Sequence, residues 1–207
     1  TTHCYGILPI IDHGTLIHIN DNNKTIFDFF NILDQKSNFP DDLNMKSLYD
    51  LSNSLRNYLR SDNAENTIIC EGGTDKRYLE LFLDKEHVHI IPCGGKDNVV
   101  TLYELLRLSL ESDKSLATAI KRKTLFLTDT DEHITKYSEV KKDKTGKIFI
   151  KRLQIDDKVG SVQLVNIYDA RTENLHTATR IEDVLDGELY YQSLKLLEAQ
   201  GKISLSN

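Results

Sequence analysis

The fold is decided by two stretches, TIICEGGTDKRYLELFL (Thr67–Leu83) and TLFLTDTDE (Thr124–Glu132). Each begins with a short apolar run of strand length that leads directly into acidic residues, and the first continues with apolar residues at helical spacing. Between them, HVHIIP (His87–Pro92) predicts a second strand and DNVVTLYELLRLSL (Asp97–Leu110) a second helix. Strands that alternate with helical patterns of about 10–15 residues are typical of a parallel sheet, so the sequence predicts an α/β fold.

Further elements are predicted on both sides of this unit. Apolar residues at helical spacing predict a helix from Met45 to Leu59 before it. After it, the pattern predicts two more strands, Lys147–Ile155 and Ser161–Tyr168, and a last helix from Ile181 to Gln200. We therefore expect a central, mainly parallel sheet flanked by helices and preceded by a helical connector.

Composition excludes several classes of protein. The longest apolar runs in the 207 residues are strand-sized, so we expect no membrane span and no signal peptide. The three cysteines, Cys4, Cys70 and Cys93, are too few and too scattered for a disulfide framework or a cysteine-rich zinc module. They fit a reducing compartment, so we expect a cytoplasmic protein.

The charge is distributed unevenly. The formal net charge is −6, yet residues 114–158 hold 12 Lys and Arg against 7 Asp and Glu. We expect a phosphate-bearing partner such as DNA to contact this basic region; the alternative is a solvated, lysine-rich loop. A net negative charge does not exclude such a partner, because cations bound by carboxylates can make the local charge positive and so attract a phosphate.

Acidic residues follow the predicted strands at the edge where parallel α/β sheets place their ligand sites. If the first and third strands are neighbours, Glu71, Asp129 and Asp131 converge on one point. Clustered carboxylates repel unless a cation lies among them, and oxygen ligands suit Mg²⁺ or Mn²⁺. Gly72 and Gly73 would leave room for a phosphate. An isolated Asp-x-Asp is also common in ordinary turns, which is the structural alternative.

Lys96 lies in a second glycine turn, PCGGKDN (Pro92–Asn98), at the same predicted edge. It is a candidate phosphate contact, and Asp97 or Asn98 is a candidate cap for the following helix. For the first helix the candidate cap is Thr74. An ordinary strand-to-helix turn explains the pattern around Lys96 equally well.

The order strand–Glu-Gly–helix, strand, helix, strand–Asp-x-Asp resembles the Toprim domain of topoisomerases, DnaG-type primases and OLD-family nucleases. The segment ICEGGTDKRYLELFL (Ile69–Leu83) is most similar to the OLD type, in which Glu-Gly-x-Thr-Glu precedes a helix. The resemblance covers roughly Thr67 to Asp131 and implies a Toprim-like Rossmannoid fold.

The resemblance also implies roles for individual residues. Glu71, Asp129 and Asp131 would be the metal-binding carboxylates. Asp75 matches the second acidic position of the family motif, with a side chain one methylene shorter than the usual Glu. Glu182 would supply one more ligand, as acidic residues downstream of Asp-x-Asp do in OLD-type sites.

Two assignments have competing explanations. Glu182 and Asp183 lie at the start of the last predicted helix, where the helix dipole alone favours acidic residues. His133 lies two residues beyond Asp131 and is read as a surface loop residue.

The implied chemistry is two-metal phosphodiester hydrolysis, in which bound cations activate the attacking water and stabilise the leaving oxygen. Lys96, or a lysine of residues 121–123 or 141–151, would neutralise charge on the phosphate. No tyrosine can be assigned as a covalent nucleophile, and the three cysteines do not form a primase-type zinc module. These observations favour hydrolysis over strand transfer or priming.

The first residues point to a second domain. The only methionine is Met45, so we expect residue 1 to be internal to a longer protein. TTHCYGILPIIDHGTLIHINDNNKTI (Thr1–Ile26) resembles the end of an ABC-type ATPase domain, with His3 as the histidine that reaches the γ-phosphate of ATP. The phosphate-binding loop would lie in the missing ATPase domain, so ATP would be bound only by the full-length protein. The expected division is 1–36 as the ATPase remnant, 37–66 as linker and helical connector, and 67–207 as the Toprim-like nuclease domain.

The sequence therefore predicts the C-terminal part of an OLD-like protein that cleaves DNA with Mg²⁺ or Mn²⁺. By analogy with the family, the protein would act in phage defence, coupled to its ATPase. The alternatives are a Toprim enzyme that acts on RNA or by strand transfer, and a non-catalytic α/β interaction module. A homo-oligomer is possible, and the sequence does not specify its size.

Overall fold

The computed structural model describes residues 15–20, 23–28, 41–83, 87–131, 139–156, 160–167, 178–202 and 204. In chain order the elements are β1 (Thr15–Asn20), β2 (Asn23–Asp28), α1 (Asp41–Arg60), β3 (Asn66–Cys70), α2 (Gly73–Phe82), β4 (Val88–Pro92), α3 (Lys96–Ser112), α4 (Lys114–Ala119), β5 (Thr124–Thr128), β6 (Ile148–Asp156), β7 (Ser161–Asn166), a 3-10 helix (Ile181–Val184) and α5 (Gly187–Ala199). The predicted α/β fold is confirmed.

Five strands form one sheet in the order β4-β3-β5-β6-β7. The first four are parallel, and β7 runs antiparallel to β6 at the edge. Strands β3 and β5 are neighbours, with Thr67 opposite Thr124 and Ile69 opposite Phe126. The carboxyl ends of β3, β4 and β5 therefore meet at one edge of the sheet, which we call the carboxyl edge.

Alternation along the strands builds a core on each face of the sheet. Ile69 and Phe126 are fully buried in one cluster with residues of α1, α3 and α4. Their neighbours Cys70 and Leu127 belong to a second cluster, with Leu79 of α2 and the start of the 3-10 helix. Successive side chains of a strand point to opposite faces, so the sheet is covered by helices on both sides.

Helix α1 packs into the same core as the sheet. Leu51, Leu55 and Leu59 are buried in the cluster that contains α3, and the Arg56 guanidinium donates to the Ser109 hydroxyl at 2.7 Å. The helix begins at Asp41, before the predicted start. The predicted domain boundaries stay a prediction.

The predicted cap of the first helix is wrong. Helix α2 begins at Gly73, and Gly72 rather than Thr74 occupies the N-cap position. The Asp75 carboxylate folds back and accepts the Gly72 N–H at 2.9 Å, which satisfies an amide that the helix leaves open.

The predicted cap of the second helix is also wrong. Gly95 occupies the N-cap position of α3, ahead of Asp97. The Asn98 side chain is buried and donates to the Cys93 carbonyl at 2.7 Å. It therefore ties the helix to the end of β4 instead of capping it.

The last predicted helix is interrupted. Leu185 is extended (φ −73°, ψ 147°), so the 3-10 helix ends at Val184 and α5 starts at Gly187.

Strands β1 and β2 form a separate antiparallel pair. His3 lies outside the described residues. Among the helices that the structure describes, none combines the length and apolar character needed to cross a bilayer.

Replacing Thr124 with Val should stabilise the fold by about 1 kcal/mol. The Thr124 side chain is fully buried, and its hydroxyl finds no hydrogen-bond partner among the described residues. Urea unfolding of both chains measures the difference.

Thr67→Val is the matched control, because Thr67 lies directly opposite on β3 and donates to the Glu65 carbonyl at 3.3 Å. This variant should lose stability instead. Equal effects of the two substitutions would contradict the assignment of the Thr124 hydroxyl as an uncompensated buried group.

Candidate functional site

The carboxyl edge joins the ends of two neighbouring strands through Glu71 and Asp129. Glu71 follows β3 directly, Asp129 follows β5, and both side chains are half-buried. The Asp129 N–H donates to the Glu71 Oε1 at 2.9 Å. The pairing of β3 with β5 therefore brings these two predicted carboxylates together.

A glycine turn adds the end of β4 to the same edge. The Glu71 carbonyl accepts the N–H groups of Gly94 at 2.8 Å and of Gly95 at 2.7 Å. Both glycines have positive φ angles, 80° and 116°, which side chains with a Cβ rarely adopt. This turn places Lys96, the first residue of α3, beside the acidic residues.

Lys96 forms an ion pair with Asp131. The Lys96 ammonium contacts the Asp131 Oδ2, and the two side chains are 12% and 67% exposed. Asp131 is thus the most solvated of the predicted ligands, whereas Lys96 is largely enclosed. The predicted position of Lys96 next to the acidic site is what the structure shows; its contact with a phosphate stays a prediction.

The two glycines after Glu71 border open space. A Cβ atom added to Gly72 or Gly73 would meet no described atom within 4 Å. Gly72 is extended (φ −145°), a conformation open to any residue. Neither local packing nor the Gly72 backbone therefore requires glycine there.

Glu182 is brought to the edge by a second connection. Thr130 and Thr179 form an isolated antiparallel β-bridge. The Thr130 N–H donates to the Thr179 carbonyl at 2.9 Å, and the Thr179 N–H donates to the Thr130 carbonyl at 2.8 Å. The 3-10 helix that carries Glu182 starts two residues later. The Asp183 carboxylate accepts the Arg180 N–H at 2.7 Å, so Asp183 serves as a local cap, and Glu182 is the candidate ligand of the pair.

Electrostatics show that these acidic side chains form one group. Burial and, after it, the negative charges of Asp75, Glu71 and Glu182 together raise the pKa of Asp129 from 3.8 to about 7, while the positive charge of Lys96 opposes the shift. Burial also raises the pKa of Glu71, and the hydrogen bond from the Asp129 N–H partly offsets this effect. Burial raises the pKa of Asp75 as well, and the hydrogen bond from the Gly72 N–H partly offsets it. Perturbed carboxylates gathered in this way are characteristic of functional sites.

The donor chemistry fits a hard divalent cation, since every candidate ligand offers carboxylate oxygen. Within the described ranges, however, no three His, Cys, Asp or Glu side chains are close enough to hold an ion as they stand. The reason is that Asp75 caps Gly72, Asp131 pairs with Lys96, and Glu71 accepts the Asp129 N–H. Cation binding therefore requires some of these side chains to rotate.

Most of the basic region lies elsewhere. Residues 121–123 precede β5 and residues 141–147 precede β6, so both sets lie at the opposite, amino edge of the sheet. A five-residue strand separates the edges by about 16 Å. His133 and part of the predicted basic region, residues 132–138 and 157–158, lie outside the described residues.

Sequence reasoning missed the buried polar side chains behind the site. Arg152, Thr130 and Thr179 are fully or almost fully buried next to the Asp129–Asp131 segment. The one signal available was the alternation along β6, which places Arg152 on the same face as the apolar Ile148 and Ile150.

Asp129→Asn should change the pH dependence of stability when divalent cations are chelated. A raised pKa means that the folded chain holds this proton more tightly than the unfolded chain, so its stabilising effect is complete below pH 3.8 and is lost as the pH rises through about 7. Asparagine does not ionise, so the variant does not lose stability in this way as the pH rises. Its stability relative to the parent should therefore increase between about pH 5 and about pH 8, measured by urea unfolding at each pH.

Asp113→Asn provides the control. Hydrogen bonds from Ser115 and Leu116 lower the pKa of Asp113 below 3.8, so this group stays ionised over the whole interval. Its variant should differ from the parent by a constant amount. A constant difference for Asp129→Asn as well would contradict the raised pKa.

Comparison with known proteins supports this architecture. Residues 64–131 match the family model "Overcoming lysogenization defect protein-like, TOPRIM domain". No curated protein and no solved structure gives a significant match. The matched segment is about one third of the chain and runs from the turn before β3 to Asp131. The match confirms the resemblance to an OLD-like Toprim domain for residues 64–131.

Proposed function

We propose that the chain is a metal-dependent nuclease that hydrolyses phosphodiester bonds of DNA at the carboxyl edge. The observation that carries the proposal is the group of half-buried carboxylates around Asp129. They come from separate elements: Glu71 after β3, Asp75 on α2 and Glu182 on the 3-10 helix. Together with burial they raise the pKa of Asp129 to about 7, so the group has a strong electrostatic reason to take up a cation.

A bound divalent cation would supply water activation and charge neutralisation at the phosphate. The Toprim assignment supports this proposal, because such domains bind divalent cations such as Mg²⁺. We propose Mg²⁺ or Mn²⁺, since both prefer carboxylate oxygen.

The acidic residues would bind the cation from different positions. Glu71 and Asp129 lie at the junction of the strands and would form the centre of the ligand set, with Asp131, Asp75 and Glu182 around them. Their fixed backbone positions would orient the reacting phosphate without large rearrangement.

Lys96 would contribute a positive charge at the same edge. Its ammonium is largely enclosed beside Asp131, so its charge is less screened than that of a surface lysine. A phosphate that approaches over Gly72 and Gly73 meets open space and this ammonium. Lys96 would then offset the negative charge that accumulates in the transition state.

A long polymer fits the distribution of basic residues better than a small substrate does. The lysines of residues 121–123 and 141–147 lie about 16 Å from the carboxyl edge, a distance that several nucleotides of DNA span. We propose that they contact flanking phosphates. Coupling to an ATPase, a role in phage defence and a cytoplasmic location stay predictions that rest on the family resemblance.

Cleavage of a supercoiled plasmid with Mg²⁺ or Mn²⁺ tests the proposal. Glu71→Gln and Asp129→Asn keep the shape of each side chain and remove its charge, so each should lower the cleavage rate by more than about 100-fold. Chelation with EDTA should abolish cleavage by the parent chain.

Asp62→Asn is the matched control, because Asp62 is a 93% exposed carboxylate paired with Lys121 at the amino edge. It should cleave at the parent rate. Uncut plasmid with cleaved RNA would point to the RNA-acting alternative, and no cleavage of either by the folded parent would favour a non-catalytic module.

Gly72→Ala should weaken substrate binding without unfolding the chain. The added methyl group meets no described atom and Gly72 has an ordinary extended backbone, so the melting temperature should stay close to that of the parent. The methyl group would occupy the space proposed for the phosphate, and KM for DNA should rise several-fold.

Gly94→Ala is the contrasting variant, because its φ of 80° makes any side chain strained. It should lower the melting temperature. An unchanged KM in a folded Gly72→Ala variant would show that the phosphate does not approach over this glycine.

A further inference from the structure

A buried arginine lies directly behind the candidate metal site. Arg152 is 0% exposed and is opposite Thr128 in the pairing of β5 with β6. Its Nη1 donates to the Thr130 Oγ1 at 2.6 Å, and its Nη2 donates to the Gln154 Oε1 at 2.7 Å. Burying a guanidinium is costly, so its place in this sheet calls for a purpose beyond packing.

Thr130 connects this arginine to the backbone on two sides. Its hydroxyl accepts from Arg152 and donates to the Leu153 carbonyl, so it links the side chain of Arg152 to the backbone of the next residue. Its backbone N–H and carbonyl pair with Thr179, whose own hydroxyl accepts the Ile155 N–H at 2.9 Å. We call Arg152, Thr130 and Thr179 the buried bracket.

The buried bracket holds two of the segments that carry carboxylates. Thr130 lies between Asp129 and Asp131, so fixing its side chain and backbone limits where both flanking residues can move. Thr179 lies three residues before Glu182 and leads into the 3-10 helix.

We propose that Arg152 is a positioning residue which, through the Thr130 hydroxyl, keeps Asp129 and Glu182 close enough to share one divalent cation. The inference rests on the proposed function and adds to it the element that sets the geometry of the site. Arginine suits the task because its planar fork of donors reaches Thr130 and Gln154 simultaneously, whereas the single ammonium of lysine cannot reproduce both bonds.

The hydroxyl of Thr130 is the point at which the proposal is tested. Mn²⁺ binding to the full chain is measured by calorimetry, with urea unfolding as the readout for folding. Thr130→Val keeps the shape of the side chain and removes its hydrogen bonds, and should weaken Mn²⁺ binding by about 10-fold, the effect typical of a residue behind a ligand. Thr130→Ser keeps the hydroxyl and should bind Mn²⁺ as the parent does.

Thr67→Val separates positioning from general loss of stability. It removes a hydrogen bond from another buried threonine, at the amino edge of the same sheet, and should leave Mn²⁺ affinity unchanged even where it lowers stability. If Thr130→Val does not fold, Arg152→Lys replaces it, with the same expected loss of affinity.

The outcomes distinguish the two proposals. Parent-like Mn²⁺ binding by folded Thr130→Val, or by Arg152→Lys where that variant replaces it, would overturn the positioning role and leave the metal site standing. A weakened affinity in Thr67→Val equal to that in Thr130→Val would also overturn it. Absence of Mn²⁺ binding by the folded parent chain would overturn the proposed function and this inference together.

Discussion

The hydrogen bond from the Asp129 N–H to the Glu71 carboxylate is the contact on which the rest of the site depends. It exists because β3 and β5 are parallel neighbours, so the residues that follow them emerge side by side. The backbone carbonyl of Glu71 is held at the same time by Gly94 and Gly95. One residue thus joins the ends of three strands, and Lys96 follows as the next residue after the glycine turn.

This arrangement has an electrostatic cost that the fold must offset. Burial and mutual repulsion raise the pKa values of Glu71, Asp75 and Asp129, so the folded chain resists full ionisation at the carboxyl edge. The apolar clusters on both faces of the sheet stabilise the fold against that cost. Stability given up at a site in this way is usually recovered when the site binds its ligand, here in our account a divalent cation.

Some of this could be predicted from the sequence, and the reason is local. The strand–helix alternation and the acidic residues at strand ends are short-range patterns, so the α/β fold and the places of Glu71 and Asp129 followed from them. Contacts between distant segments produce almost no pattern in the sequence. Arg152 could therefore not be distinguished from the other residues of its predicted strand, and Thr179 could not be distinguished from loop residues. The prediction of Thr74 as the cap failed because the helix begins earlier, at Gly73, so that Gly72 is the N-cap residue and its N–H is accepted by Asp75.

The central claim is that the carboxylates at this edge form one coupled group that a divalent cation neutralises. The most direct measurement is a carbon-13 NMR titration of the Asp129 carboxyl group, first with chelator and then with Mg²⁺. The account predicts a pKa of about 7 without the cation and a value well below 7 with it. A pKa near 3.8 that Mg²⁺ does not change would contradict it.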